Sequence, residues 1–542
     1  MNRWLNVGLV SIALLSIASC AQNSNSGDRV ASKDAGRITV GTTQKPRTLD
    51  PADAYELRSI ALIRNLSDRL YTYDPGSTEL KPQLATSLPK VSQDGLTYTI
   101  PLRQGVVFHD GSPFNAAAMK FSLDRFKDSG GKPAFLLADR VDLIEAKGYE
   151  LKIKLKKPFA AFPSLLAFPG TCAVSPNAYR KADKKAGKGG GNNFEANKFV
   201  GTGPYKLSEY GTDRVKFEVF DRYWGAKPLN RGVNLQIFTN NSANLYNSFR
   251  TGAVDVAFNS LEPDQVKSLD EGAKAGKWQS IAIDGSVTSY MILNVLQKPL
   301  DNPLVRQALA ALVDRPTINE RILYGQGKPL YSIVPDTFSV SQPVFKTAYG
   351  DGNIEKAKQL LTQAGFSTQN PAKIQIWYPS GSTSRRLTAG FLRAYAKQKL
   401  GGMLELEPNT IESASFFKYA SQNIYPATLQ DWYPDFLDPD NFVQPFLECP
   451  TGSANKGCQK GGSQTQGSFY YHDRMNKLIA AQGKEQDPTK RNQIYADIQN
   501  LLQQDVPLIP LWQTKDFVFA KKGMSGIKID PLQNLLYSEI KK

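Results

Sequence analysis

The sequence predicts a mixed α/β protein built from more than one domain, and three observations point there. The chain runs to 542 residues, beyond the roughly 250–300 residues at which one hydrophobic core gives way to several. Its apolar content of 41%, with 10% aromatic residues, is that of a globular chain able to fill those cores. Segments that alternate apolar and polar residues with period two are interleaved with amphipathic segments whose starts carry helix-capping residues.

Arg37–Thr42 (RITVGT) reads as an opening strand, Lys45–Leu49 as a loop, and Tyr55–Leu70 as a helix by its apolar spacing. In LATSLPKVSQDGLTYTIPLRQGVVFHDGSPF, residues 84–114, Leu96, Tyr98, Ile100 and Leu102 alternate as in a half-buried strand. Asp94-Gly95 and His109-Asp110-Gly111 supply turn chemistry around a second short strand, Val106–Phe108. Asn115 is placed to cap a helix with Met119, Leu123 and Phe126 on one face. Leu151–Leu155 is a further strand, and Lys181–Asn193 is Gly/Lys low complexity without the Gly-Lys-Ser/Thr of a phosphate loop. Gly201-Thr202-Gly203-Pro204-Tyr205 is a turn running into the strand-like YKLSEY, which argues against a nucleotide loop because such loops lead into a helix. Tyr290–Val295 is a buried strand, followed by Asn302-Pro303 as N-cap and first residue of a helix presenting Val305, Leu309 and Leu312. Asn353 caps IEKAKQLLTQAGF, with Gly365 just past its end. Asp487-Pro488 opens a last long helix through Leu502, and Val506–Trp512 is a return strand whose prolines confine it to the ends of a ladder.

The N-terminus reads as a processing signal: Arg3 precedes the apolar run Val7–Ile17, too short to span a membrane as a mature helix. Ile17-Ala18-Ser19-Cys20 is similar to the lipobox of bacterial lipoproteins, which implies cleavage before Cys20 and lipidation of its thiol. Residues 21–36 then form a flexible tether. The mature protein is expected to be extracytoplasmic, on the periplasmic or cell-surface side of a bacterial membrane. The net charge of +16 is scattered apart from the run Arg180–Lys188, and no nucleic-acid-binding motif accompanies it. Cys449 and Cys458 flank a Gly/Asn/Ser loop and are expected to form a disulfide in an oxidising compartment, whereas Cys172 reads as a buried free thiol.

As a sequence, the 84–114 stretch closely resembles the signature of the extracytoplasmic solute-binding proteins of the peptide/nickel class, family 5, which feed ABC transporters. The GTGPY turn resembles that family too, and the order of elements matches it over essentially the whole mature chain. The resemblance implies a periplasmic-binding-protein-like fold of two lobes hinged around a ligand, with a domain inserted in the first lobe. That places the first lobe at 37–68, 201–285 and 510–542, the insert at 69–200 and the second lobe at 286–509. It further implies a monomeric receptor with no cofactor and no enzymatic activity, delivering a short peptide or similar small solute to permease subunits driven by a separate ATPase.

Asp431–Phe442 (DWYPDFLDPDNF) has the strongest claim to the ligand, with four aromatics and four carboxylates held out of regular structure by Pro434 and Pro439. Dipeptide and oligopeptide receptors carry a similar stretch, in which the first aspartate pairs with the peptide's ammonium. Matched residue by residue, that aspartate is Asp435 and the tryptophan Trp432, with Tyr433 between them; Asp431 stands where those relatives usually have Gly. A buried ammonium requires such a carboxylate, because an unpaired buried charge is several kcal/mol unfavourable. Asp438 and Asp440 read as loop and helix-start residues, Asp438-Pro439 forming an N-cap and first-residue pair.

For the peptide's carboxylate the resemblance offers Arg385 and Arg386, since a guanidinium fork matches it. Tyr290, Asn294 and Thr43 are candidates for the pocket wall. An enzyme is disfavoured: the chain has two histidines, no HExxH and no GxSxG. Nickel chelates or haem remain alternative solutes, with His472 the one plausible histidine contact, and a secreted hydrolase with a dispersed triad is the more distant rival.

Overall fold

The computed structural model describes residues 36–180, 198–258 and 260–542. The signal segment with Cys20, residues 21–35 of the expected tether and the whole Gly/Lys segment 181–193 lie outside the described residues. Local chemistry starts the helices where capping predicts. Asn115 accepts from the Ala118 N–H at the head of Ala116–Asp128, Asn302 from Leu304 ahead of Pro303–Leu312, Asn353 from Lys356 ahead of Ile354–Gln363, and Asp487 from Lys490 ahead of Pro488–Asp505. Gly365, at φ +86°, ends its helix, with the Phe366 N–H returning to the Leu361 carbonyl at 2.9 Å.

An 11-stranded mixed sheet organises the rest. Its order is Leu404–Ile411, Ala372–Pro379, Ala427–Trp432, Gln279–Leu293, Leu508–Ala520, Val256–Phe258, Ile38–Thr42, Val233–Ile237, Arg214–Val219 and Tyr205–Tyr210, with Gly327–Pro329 joined to Leu508–Ala520. Two long antiparallel strands in the middle serve both halves. Gln279–Asp284 pairs with Lys515–Ala520, the register shifts between Asp284 and Thr288, and Thr288–Ile292 then pairs with 508–513. The predicted strand Tyr290–Val295 is thus the end of a longer one. The predicted return strand extends to Ala520 and contains Pro510, tolerated because the ladder shifts register between Ser289 and Tyr290 beside it.

The 84–114 stretch contributes Thr97–Pro101 to a separate four-stranded antiparallel sheet with Lys90–Val91, Glu150–Leu155 and Val141–Lys147. Tyr98 and Ile100 are fully buried there, as their alternation requires. Val106–Phe108 is not a strand: Val107 makes one isolated bridge to Pro113, because the turn chemistry at 109–111 closes too tightly to extend a ladder. The first helix is shorter than Tyr55–Leu70. It covers Leu57–Leu66, since the Leu66 carbonyl accepts from the Gly203 N–H at 3.1 Å and Ser67 turns extended to reach Thr202 and Ala173.

The largest apolar cluster unites buried residues of 70–173 with those of 290–512, a second surrounds Ile38, Leu62, Phe217 and Val518, and smaller ones form around Phe249 and Phe416. Phe159 meets Phe436 edge-on at 6.2 Å, and the Ala160 N–H bonds the Gly483 carbonyl at 2.8 Å across the contact inside the first cluster.

Candidate ligand-binding cleft

A cleft of about 960 Å³ brings together segments far apart in sequence. One wall is the head of helix Leu57–Leu66 with Tyr55 and Arg58, another is Asp431–Asp435, and Phe168, Gln466 and Asn534 lie between them. The strand Ala427–Trp432 delivers the second wall, and Pro434, lacking an N–H, ends its pairing. Asn441 then ties the loop, its side-chain oxygen accepting from the Asp435 N–H at 3.0 Å and from Trp432 Nε1 at 3.3 Å. Asp438 accepts a fork from Arg491 at 2.7 and 2.8 Å and also the Asp440 N–H at 2.9 Å. These acids hold the loop, as expected, although the helix Asp440–Leu447 starts one residue later than an Asp438 cap would place it.

This framework presents Asp435 to the cleft. The residue is half-buried, but its carboxyl group is enclosed, and Tyr55 Oη donates to Oδ2 at 3.1 Å. Burial raises its pKa to about 6, with the Tyr55 bond and the more distant Arg140 only partly offsetting that. Among the described residues no cation forms an ion pair with it. Trp432 packs edge-on against Phe446 at 5.2 Å and lines the cleft. Tyr433 is 43% exposed as a residue, yet its hydroxyl is pushed up in pKa by burial and by Asp431. Both hold because its exposure is to the cleft rather than to bulk water.

Other predicted site residues are arranged differently. Arg385 turns inward and is ion-paired with Asp431, whose other oxygen accepts from Ser289 Oγ at 2.5 Å. Asp431 therefore supplies Arg385 with its own counter-ion. Arg386 is exposed and does not line the cleft. Tyr290 is fully buried, its hydroxyl donating to the Ile333 carbonyl and its ring packed on Phe446 at 5.1 Å; it is a core residue, not a pocket wall. Asn294 is likewise buried and spends its amide on Asn423 and the Tyr425 carbonyl, holding a turn. Thr43 bonds through its backbone to Ser260 and Asn240, and its neighbours Gln44 and Lys45 reach the cleft instead.

His109 ties two turns together. Its Nδ1 accepts from the Gly201 N–H at 3.2 Å and its Nε2 donates to the Gly203 carbonyl at 3.1 Å, while burial lowers its pKa to about 4. His472 caps the helix Asp473–Lys484 by accepting the Arg474 N–H, away from the cleft. Among the described residues no group of three or more His, Cys, Asp or Glu is placed to hold a metal ion. Cys449 and Cys458 are disulfide-bonded with Cα atoms 5.6 Å apart, and Cys172 is a buried free thiol. Among the described residues no helix is long and apolar enough to cross a membrane.

Sequence reasoning missed Tyr55 and Arg58. A signal for Arg58 was present: it falls one turn before Leu62 and two before Leu66, a charge on an otherwise apolar stripe.

Comparison with known proteins follows the same lines. The model of the bacterial extracellular solute-binding proteins, family 5 Middle, matches residues 79–454. The glutathione-binding protein GsiB of Escherichia coli (strain K12) is 29% identical over 537 residues, covering 97% of this chain and 96% of GsiB. The dipeptide binding protein from Pseudoalteromonas sp. SM9913, in complex with Met-Leu, has TM-score 0.76 at 24% identity, covering 93% of this chain and 99% of that one. NikA from Staphylococcus aureus, in complex with Ni(L-His)2, has TM-score 0.72 at 20% identity with the same coverage. These two likenesses establish the fold.

Proposed function

The chain belongs to family 5 of the bacterial extracellular solute-binding proteins, which serve ABC importers, and we propose that within it this chain captures short peptides and hands them to a permease. The observation that carries this reading is Asp435, an enclosed carboxylate in a cleft of about 960 Å³ whose protein partner is the neutral Tyr55 hydroxyl. A peptide's ammonium is the charge that completes such a site, because a buried ion without a counter-ion is several kcal/mol unfavourable. The relative that binds glutathione and the neighbour holding Met-Leu support a peptide.

The two lobes meet through the long strands Gln279–Leu293 and Leu508–Ala520, and the register shift at 285–287 is the natural hinge. Ligand bridging the cleft then favours the closed form that the permease reads. The mature chain is anchored by lipid on Cys20, which the intact mass of detergent-extracted protein checks directly.

Titration calorimetry with Met-Leu and with N-acetyl-Met-Leu tests the peptide reading. Blocking the ammonium should weaken binding at least about 100-fold; equal affinities remove Asp435 as its partner. Ligand-dependent visible absorbance would instead assign the cleft to chelated nickel or haem.

A further inference from the structure

The cleft holds a second enclosed charge. Arg58 lies on the buried face of helix Leu57–Leu66, is 6% exposed, and lines the cleft on the wall that faces Asp431–Asp435. Its side-chain partner is the Tyr537 hydroxyl, a neutral group, and its Nε has no hydrogen-bond partner. Among the described residues no carboxylate is paired with it: Glu56, two residues earlier, turns to Arg47 and Ser59. Enclosing a guanidinium without an anion is unfavourable by several kcal/mol, and burial accordingly pulls the Arg58 pKa down.

Two other candidate cations do not share this condition. Arg385 does not line the cleft and is occupied by Asp431. Lys45 is exposed at the rim, where water screens its charge. One wall therefore carries an enclosed anion without a cation, Asp435, and another an enclosed cation without an anion, Arg58.

We propose that Arg58 is the anchor for an anionic group of the ligand, so that a zwitterionic solute spans the cleft with its ammonium on Asp435 and its carboxylate on Arg58. The ammonium half rests on the function proposed above; the anion half rests on Arg58 alone. A guanidinium suits the task because its planar fork of donors matches the two oxygens of a carboxylate. The assignment also moves carboxylate recognition from Arg385, on the strand-and-helix unit that includes Asp431, to a residue near the start of the chain. A bound zwitterion then links the same two segments that the Tyr55–Asp435 bond already joins across 380 residues.

The test is a thermal-shift and calorimetric panel of Met-Leu, Met-Leu-amide, glutathione and N-acetyl-leucine on the full chain, its Arg58→Gln and Arg58→Lys variants, and Arg385→Gln. Wild type should prefer Met-Leu over its amide by about 10- to 100-fold. Arg58→Gln should lose that preference, its acid-to-amide ratio falling to about one, and Arg58→Lys should retain part of it. Reading the acid-to-amide ratio within each variant separates recognition from any change in fold stability. Preference kept in Arg58→Gln, lost in Arg385→Gln instead, or absent because no anionic member of the panel binds wild type, overturns the assignment. Binding of N-acetyl-leucine in an Arg58-dependent way without binding of Met-Leu would uphold the anion anchor while removing the peptide reading.

Discussion

Replacing Asp435 with Asn removes one charge and keeps the shape, since the amide oxygen still accepts from Tyr55 Oη as the carboxylate does at 3.1 Å. Breaking a buried ion pair by neutralising one member costs about 3–5 kcal/mol, or roughly 150- to 5,000-fold in Kd for Met-Leu. The same carboxylate sets a pH profile. With a pKa of about 6 in the ligand-free protein, it is about nine-tenths ionised at pH 7 and about one-tenth at pH 5. Wild-type affinity should therefore fall about tenfold from pH 7 to pH 5, and the Asn variant should show no such slope. Stability moves the opposite way. The folded-state pKa is raised from 3.8, so the native state holds the extra proton, and ligand-free wild type loses stability as pH rises from about 4 to 6. The Asn variant escapes that loss and should be more stable at pH 7 by about 2–3 kcal/mol. Calorimetric titrations at pH 5 and 7 and urea unfolding of the ligand-free proteins measure both effects. An Asn variant that binds as wild type, or is less stable at pH 7, refutes the reasoning.

Two predictions concern the frame around the site. His109 has its pKa lowered from 6.5 to about 4 by burial, so the unfolded chain takes the proton first as pH falls; stability is complete above pH 6.5 and drains by about 3 kcal/mol toward pH 4. In His109→Gln that part of the slope should vanish, and denaturant unfolding across pH 4–7 reads it; an unchanged slope would show that the imidazole does not titrate between the two states as argued. A methyl group on Gly203 would lie 2.6 Å from the Leu66 carbonyl carbon and 2.7 Å from the Ser67 nitrogen, rigid backbone atoms that cannot step aside. Gly203→Ala should thus destabilise by about 1–3 kcal/mol in thermal unfolding, with Met-Leu affinity unchanged.

Legibility in the sequence followed the range of the interactions involved. Helix starts at Asn115, Asn302, Asn353 and Asp487 were readable because a cap is an interaction between residues two or three apart. Strand extents were not: Tyr290–Val295 continues a strand that begins at Gln279, and Val106–Phe108 finds no partner strand, because pairing is decided by segments distant in the chain. Within the site, Asp435 and Trp432 were legible from their motif and do line the cleft, whereas Tyr290 and Asn294, equally plausible by type, are spent on internal hydrogen bonds.

By itself, then, the sequence determined the mixed α/β character, the capped helix starts at Asn115, Asn302, Asn353 and Asp487 and the acidic aromatic segment that presents Asp435, all of which depend on local pattern. The tertiary structure alone decided which charges are free. Asp431 neutralises Arg385 across 46 residues, Tyr55 reaches Asp435 across 380, and Arg58 is enclosed without an ion pair to any carboxylate among the described residues. Burial and pairing are properties of a charge's surroundings in space, and the chain order of those surroundings carries no trace of them.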